Sequence, residues 1–176
     1  MTATTAPLGD AESYGFDDPR LYRLLSYWNS IRPDGGMPSR RSIDPVDIFR
    51  LLPNIWICDY EADLDTFRYR LAGEDVSAPY GRNLKGLTVA DLFDGERYVY
   101  ANTQMKRVAL DRCITLVSGF VLWNVDRYQS GERLILPLTT DGVPGILAIT
   151  IADSTTPSEM ADIGQLPAVR TFPIPA

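Results

Sequence analysis

Three carboxylates at alternate positions, Glu61, Asp63 and Asp65, are the first residues here whose type and spacing suggest chemistry. Such a set can begin a calcium loop, but the remaining oxygen ligands of a twelve-residue loop do not follow, and a solvated turn is the simpler reading. Asp44 and Asp47 could be imagined as an acid/base pair; their spacing suits the start of a helix better. Arg40 and Arg41 form too small a basic patch for nucleic acid. Gly81 and Gly86 lack the lysine and hydroxyl residue of a phosphate-binding loop and read as turn glycines. Histidine is absent altogether. That removes Ser-His-Asp and Cys-His catalysis, His-x-x-x-His zinc sites, histidine-ligated haem and a histidine phosphoacceptor.

What remains is aromatic. Trp56, Tyr69, Tyr80, Phe93, Phe120 and Trp123 could line an apolar cavity between sheet and helices, or simply pack a core. Buried Tyr69, Tyr80 and Trp123 would each need a hydrogen-bond partner, which a ligand could supply. Arg70 and Arg82 are expected in structural ion pairs, or in contact with an acidic ligand or a second subunit.

The elements that must carry these residues can be read in order. Asn54–Tyr60 and Phe67–Gly73 are β-rich runs separated by a six-residue polar loop, so they pair antiparallel. A register with Tyr60 opposite Phe67 also sets Asp59 against Arg68, Cys58 against Tyr69 and Trp56 against Leu71. Upstream, Asp17-Asp18-Pro19 supplies a cap and a first-turn proline. Leu21, Leu24, Leu25, Trp28 and Ile31 then form the apolar stripe of a helix. This stripe docks on its own sheet or pairs with the same helix of a second copy, which would make a homodimer. Asp44-Pro45 predicts a second, shorter helix ending before Pro53.

Downstream, Glu74–Tyr80 reads as a short helix, Leu87–Phe93 as a turn or short helix and Glu96–Arg112 as a long helix. Strands follow at Ile114–Asn124, with a bend near Ser118-Gly119, at Gly131–Thr139 and at Gly145–Ala152, the last two joined by Asp141-Gly142. The pattern predicts an α+β protein: a five-stranded antiparallel sheet with helices inserted between strands 2 and 3 and an N-terminal amphipathic helix. The middle helices should cover one face and the first helix the other. Residues 1–16 are expected to form a loose arm, 17–152 the domain, and 153–176 an irregular, proline-containing tail.

Read together, Leu24-Leu-Ser-Tyr-Trp28, Ile43-Asp-Pro-Val-Asp-Ile-Phe-Arg-Leu-Leu-Pro-Asn54, Phe67-Arg-Tyr-Arg-Leu-Ala-Gly73, Tyr80-Gly-Arg82, Leu84-Lys-Gly86 and Asp91-Leu-Phe93 resemble a PAS domain of the stand-alone bacterial kind. The resemblance spans about residues 20–152. It implies a sensory or regulatory module, not an enzyme, that binds a small molecule or a partner protein and is commonly dimeric. The Asn-Cys-Arg-Phe signature of flavin photosensors is missing, since Cys113 stands in Asp-Arg-Cys-Ile, and haem-binding relatives use the histidine this chain lacks. The identity of any cofactor stays open. Without kinase, cyclase or helix-turn-helix patterns, the signal is expected to pass to a downstream signalling protein.

Composition bounds the partners. Seventeen basic against 23 acidic residues give a net charge of −6, which argues against nucleic acid. No run of eighteen apolar residues predicts a membrane span, and the first sixteen residues do not pattern as a signal peptide. Cys58 and Cys113 are expected as reduced thiols in a cytoplasmic protein.

Overall fold

The structure is a computed structural model that describes residues 11–124, 127–152 and 167–174. Two caps start its first long helix. Asp18 accepts the Arg20 amide at 2.8 Å, with Pro19 in the first turn of α2 (Pro19–Ser30). Glu132 Oε2 reaches across to accept the amides of Asp17 and Asp18 at 3.0 and 2.9 Å.

Six strands follow: β1 (Ile55–Glu61), β2 (Thr66–Ala72), β3 (Cys113–Asn124), β4 (Arg127–Thr140), β5 (Val143–Ala152) and β6 (Ala168–Pro173). They form one sheet in the order β2-β1-β5-β4-β3-β6, with every neighbouring pair antiparallel. Between β2 and β3 lie α3 (Glu74–Ser77), 3-10 turns at Ala78–Tyr80 and Val89–Asp91, and α4 (Gly95–Asp111). The β4–β5 connection has positive φ at both Asp141 and Gly142, the backbone that a tight hairpin turn of matching twist demands.

Period-two alternation sorts the strands into two apolar layers. Ile55, Ile57, Leu134, Leu136, Leu147 and Ile149 point to the side covered by α2. Trp56, Cys58, Ile135, Ile146 and Ala148 point to the side covered by α3 and α4. The sheet is therefore the middle of a three-layer sandwich, with the middle helices and the first helix on opposite faces as the pattern predicts.

Leu21, Leu24, Leu25 and Trp28 are fully buried in this chain's own core, and Trp28 Nε1 donates to the Pro137 carbonyl at 2.7 Å. The stripe is thus seated on this chain's own sheet, the first of its two expected placements, with Ile31 half-buried at its end.

Four further expectations are revised. The sheet has six strands rather than five, because part of the tail, Ala168–Pro173, pairs along β3. The arm is structured from Ala11, where α1 (Ala11–Tyr14) seats the buried Tyr14 ring against Phe16 and Phe172, at 5.4 and 5.0 Å between centroids. Residues 1–10 and 153–166 lie outside the described part. The helix expected after Asp44 is a chain of three-residue turns instead, bonded Asp47 to Asp44, Leu51 to Ile48 and Leu52 to Phe49. Only Ile48 and Leu51 bury fully there, too narrow an apolar face to reward a regular helix.

The hairpin register holds for Tyr60–Phe67, Asp59–Arg68 and Cys58–Tyr69. A bulge at Ile57/Cys58 then shifts it, so that Trp56 faces Ala72 and Leu71 faces Ile57. Arg70, beside this bulge, bonds the buried carboxylate of Asp59 at 2.8 Å, with the Thr140 hydroxyl on the other oxygen.

Candidate functional site

Trp56 is held on the floor of the α4 side by β1, where its Nε1 donates to Thr150 Oγ1 at 2.9 Å. Arg133 projects from β4 onto the same face as Ile135, because the two are separated by one strand period. Its Nε donates to the same Thr150 oxygen at 3.0 Å, and a terminal nitrogen donates to the Val121 carbonyl. The guanidinium lies 5.6 Å from the Trp56 ring centroid, within cation–π range.

Above this floor the walls are aromatic. Tyr69 of β2 tilts 38° against Trp56 at 5.8 Å between centroids. Tyr80 and Phe93, carried by the two short segments before α4, meet edge to face at 6.2 Å. The rings do not close the space. A cavity of about 60 Å³ stays open between them, with Arg97, Tyr100, Gln104 and Met105 of α4 as its roof.

Its electrostatics are one-sided. The lining contains two arginines and no carboxylate. Burial pushes the Tyr69 phenol well above its ordinary value of 10.0, and the charge of Arg133 pulls it partly back. Burial raises the phenols of Tyr80 and Tyr100 as well, against the same opposing pull. All three are therefore neutral hydroxyls at physiological pH, able to donate or accept. The Tyr69 side chain is buried, and its hydroxyl has no hydrogen-bond partner among the described residues. The buried Oε1 of Gln104 is likewise without one.

A family model for the PAS domain matches residues 17–149, a span that contains α2, the sheet through most of β5 and every residue of this cavity. The chain belongs to the PAS domain family. No curated protein and no solved structure gives a significant match to it. As a PAS domain it is a sensory or regulatory module. No helix among the described residues is long and apolar enough to cross a membrane.

Of the six aromatic residues expected to line an apolar cavity, Trp56, Tyr69, Tyr80 and Phe93 line this one. Phe120 and Trp123 belong to β3 by their backbone pairing, with Phe120 opposite Ser130 and Trp123 opposite Tyr128. Their side chains lie outside the described part. Arg97, Tyr100, Gln104 and Arg133 were not anticipated. A signal for Arg133 existed, because period two puts it on the same inward face as Ile135.

The other chemical candidates resolve into structure. Glu61 pairs with Arg68, and Asp65 with Lys106 at 2.5 Å, so two of the three supposed calcium ligands are occupied by cations. Arg82 donates to the Asp91 carbonyl at 2.9 Å, Arg41 pairs with Asp141, and Asp44 caps the Val46 amide. Cys58 is buried and free, and Cys113 is half-buried and free.

Proposed function

We propose that this PAS domain is a sensor that holds a small organic molecule against Trp56 and Tyr69 and signals its presence to a partner protein. The observation that carries the reading is the buried, unpartnered Oε1 of Gln104 beside an unfilled and mostly apolar cavity. Buried polar groups are ordinarily satisfied, and a site left open after folding is one that a ligand completes. The molecule is bound and not turned over.

Strand alternation supplies a route outward. Arg133 and Ile135 face the cavity, while Leu134 and Leu136 between and beside them carry α2 on the opposite face. A ligand that repositions Arg133 displaces β4, and with it the seat of α2. The signal then leaves through the outer surface of α2 and the adjoining 44–51 turns, where Val46 and Phe49 are exposed. These two side chains also support a second reading, in which the domain docks a partner without any ligand.

Native mass spectrometry of the chain purified from its own host tests the choice. Excess mass on the folded protein, lost on denaturation and absent from a folded Ala101→Leu variant whose leucine fills the cavity, is the expected result. A bare chain mass, with partner capture unaffected by Ala101→Leu but lost in Phe49→Ser, would favour ligand-free docking.

A further inference from the structure

Resting on the sensor reading above, the geometry points to the chemical class of ligand: a small organic monocarboxylate with a compact apolar body, for which Arg133 is the counter-ion. A guanidinium keeps its charge in proteins and offers five N–H donors. Two of those on Arg133 are used, by Thr150 and by the Val121 carbonyl. Three are left without an acceptor among the described residues, enough for the paired contact that arginine makes with a carboxylate.

No described carboxylate stands within ion-pair distance of Arg133, and none lines the cavity. The described arginines 20, 41, 68 and 70 all have acidic partners. Arg133 has instead a π-face and two neutral oxygens, which position the cation and leave its charge unneutralised.

The neutral groups suit the same ligand. The Tyr69 hydroxyl can donate to a carboxylate oxygen, and the Gln104 amide, turned over, presents Nε2 in place of its unpartnered Oε1. Trp56, Phe93, Val76 and Met105 provide an apolar receptacle. Size sets the limit. A cavity of about 60 Å³ has room for roughly four waters at ~15 Å³ each, which corresponds to a ligand of roughly five to nine non-hydrogen atoms. Nucleotides and flavins are excluded on that ground, and amines by the charge of Arg133.

The test is calorimetric titration of the full chain with isobutyrate and benzoate, each against its own primary amide, and with benzylamine. At least one carboxylate should bind tenfold or more tightly than its amide, with benzylamine silent. Arg133→Gln should erase that ratio, and Arg133→Lys should keep its sign at lower affinity. If amide and carboxylate bind equally, the cavity is a ligand site but the anion assignment is wrong. If no compound of any charge binds, the assignment and the sensor reading fall together. Should the Arg133 variants not fold, the carboxylate-to-amide ratio on the native chain still decides.

Discussion

Arg133 and Trp56 are fastened to each other through one hydroxyl: Thr150 Oγ1 accepts from the guanidinium Nε at 3.0 Å and from the indole Nε1 at 2.9 Å. The three residues come from β4, β1 and β5, so a single oxygen ties the cavity floor across three adjacent strands. Thr150→Val keeps the shape and removes the acceptor, stranding two donors at once. The expected cost is about 2 kcal/mol, read as a lower urea midpoint at unchanged slope. Thr150→Ser should recover most of it. A Thr150→Val midpoint equal to the native one would mean the shared bond does not hold the floor.

Much of this arrangement was legible in the sequence, for reasons that differ by element. Asp18-Pro19 and the leucine stripe fix α2 because cap, proline and period agree. Tyr60 opposite Phe67 is local, set by a short loop. The bulge opposite Ile57/Cys58 escaped because nothing in Tyr69-Arg-Leu71 marks Arg70 as the extra residue; Gly73 behind it must press on the chain before β1. β6 escaped because an edge strand with exposed Arg170 and Thr171 carries almost no burial pattern. The cavity was half visible. Its aromatic residues announce themselves by type, whereas Arg133 and Gln104 meet them only through tertiary folding, more than thirty residues beyond Tyr69 in each case.

Gly73 marks the closest backbone approach in that corner. A Cβ there would stand 2.2 Å from the carbonyl oxygens of both Leu52 and Pro53, backbone atoms that cannot swing away. Gly73→Ala should therefore cost about 3 kcal/mol or more, separating β2 from the turn that leads into β1. Gly86→Ala is the control: its φ is +89° with nothing within 4 Å, so only the left-handed backbone is penalised, by about 1 kcal/mol. Thermal melts of the two variants should differ in that order. Equal losses would show the approach at Gly73 to be relaxed.

Glu132 makes α2 sensitive to pH. Its buried carboxylate accepts both amides before the helix, yet burial raises its pKa, with the backbone bonds pulling the other way and Asp17 and Asp18 adding to the rise. The folded chain thus holds this proton more tightly than the unfolded chain. Stability from Glu132 is complete below the ordinary carboxylate value of 4.5 and falls as pH rises through the elevated native value. Glu132→Gln abolishes this titration and keeps one oxygen for the amides. Stability of Glu132→Gln minus native should be near its minimum below pH 4.5 and grow toward neutrality. A difference that is flat with pH, or shrinks as pH rises, contradicts the linkage.

Cys58 reports on the sheet itself. It lies in β1 between Tyr69 of β2 and Ile146 of β5, and its side chain is fully buried. Burial lifts its thiol well above the ordinary value of 9.0, so reactive thiolate is scarce as well as inaccessible. Cys113, half-buried at the start of β3, is raised too, by burial first, but a reagent can reach it. In native buffer a maleimide should therefore label one thiol per chain, more slowly than free cysteine, and the second only on addition of denaturant. In a Cys113→Ser background, the Cys58 rate should follow the population of opened molecules, so its logarithm should fall in step with unfolding free energy. Any compound that occupies the cavity should slow Cys58 further, because it binds only the closed sheet. Rapid native labelling of Cys58 would mean that β1 parts from its neighbours without global unfolding, and that the cavity floor is not the rigid surface on which a ligand could be selected.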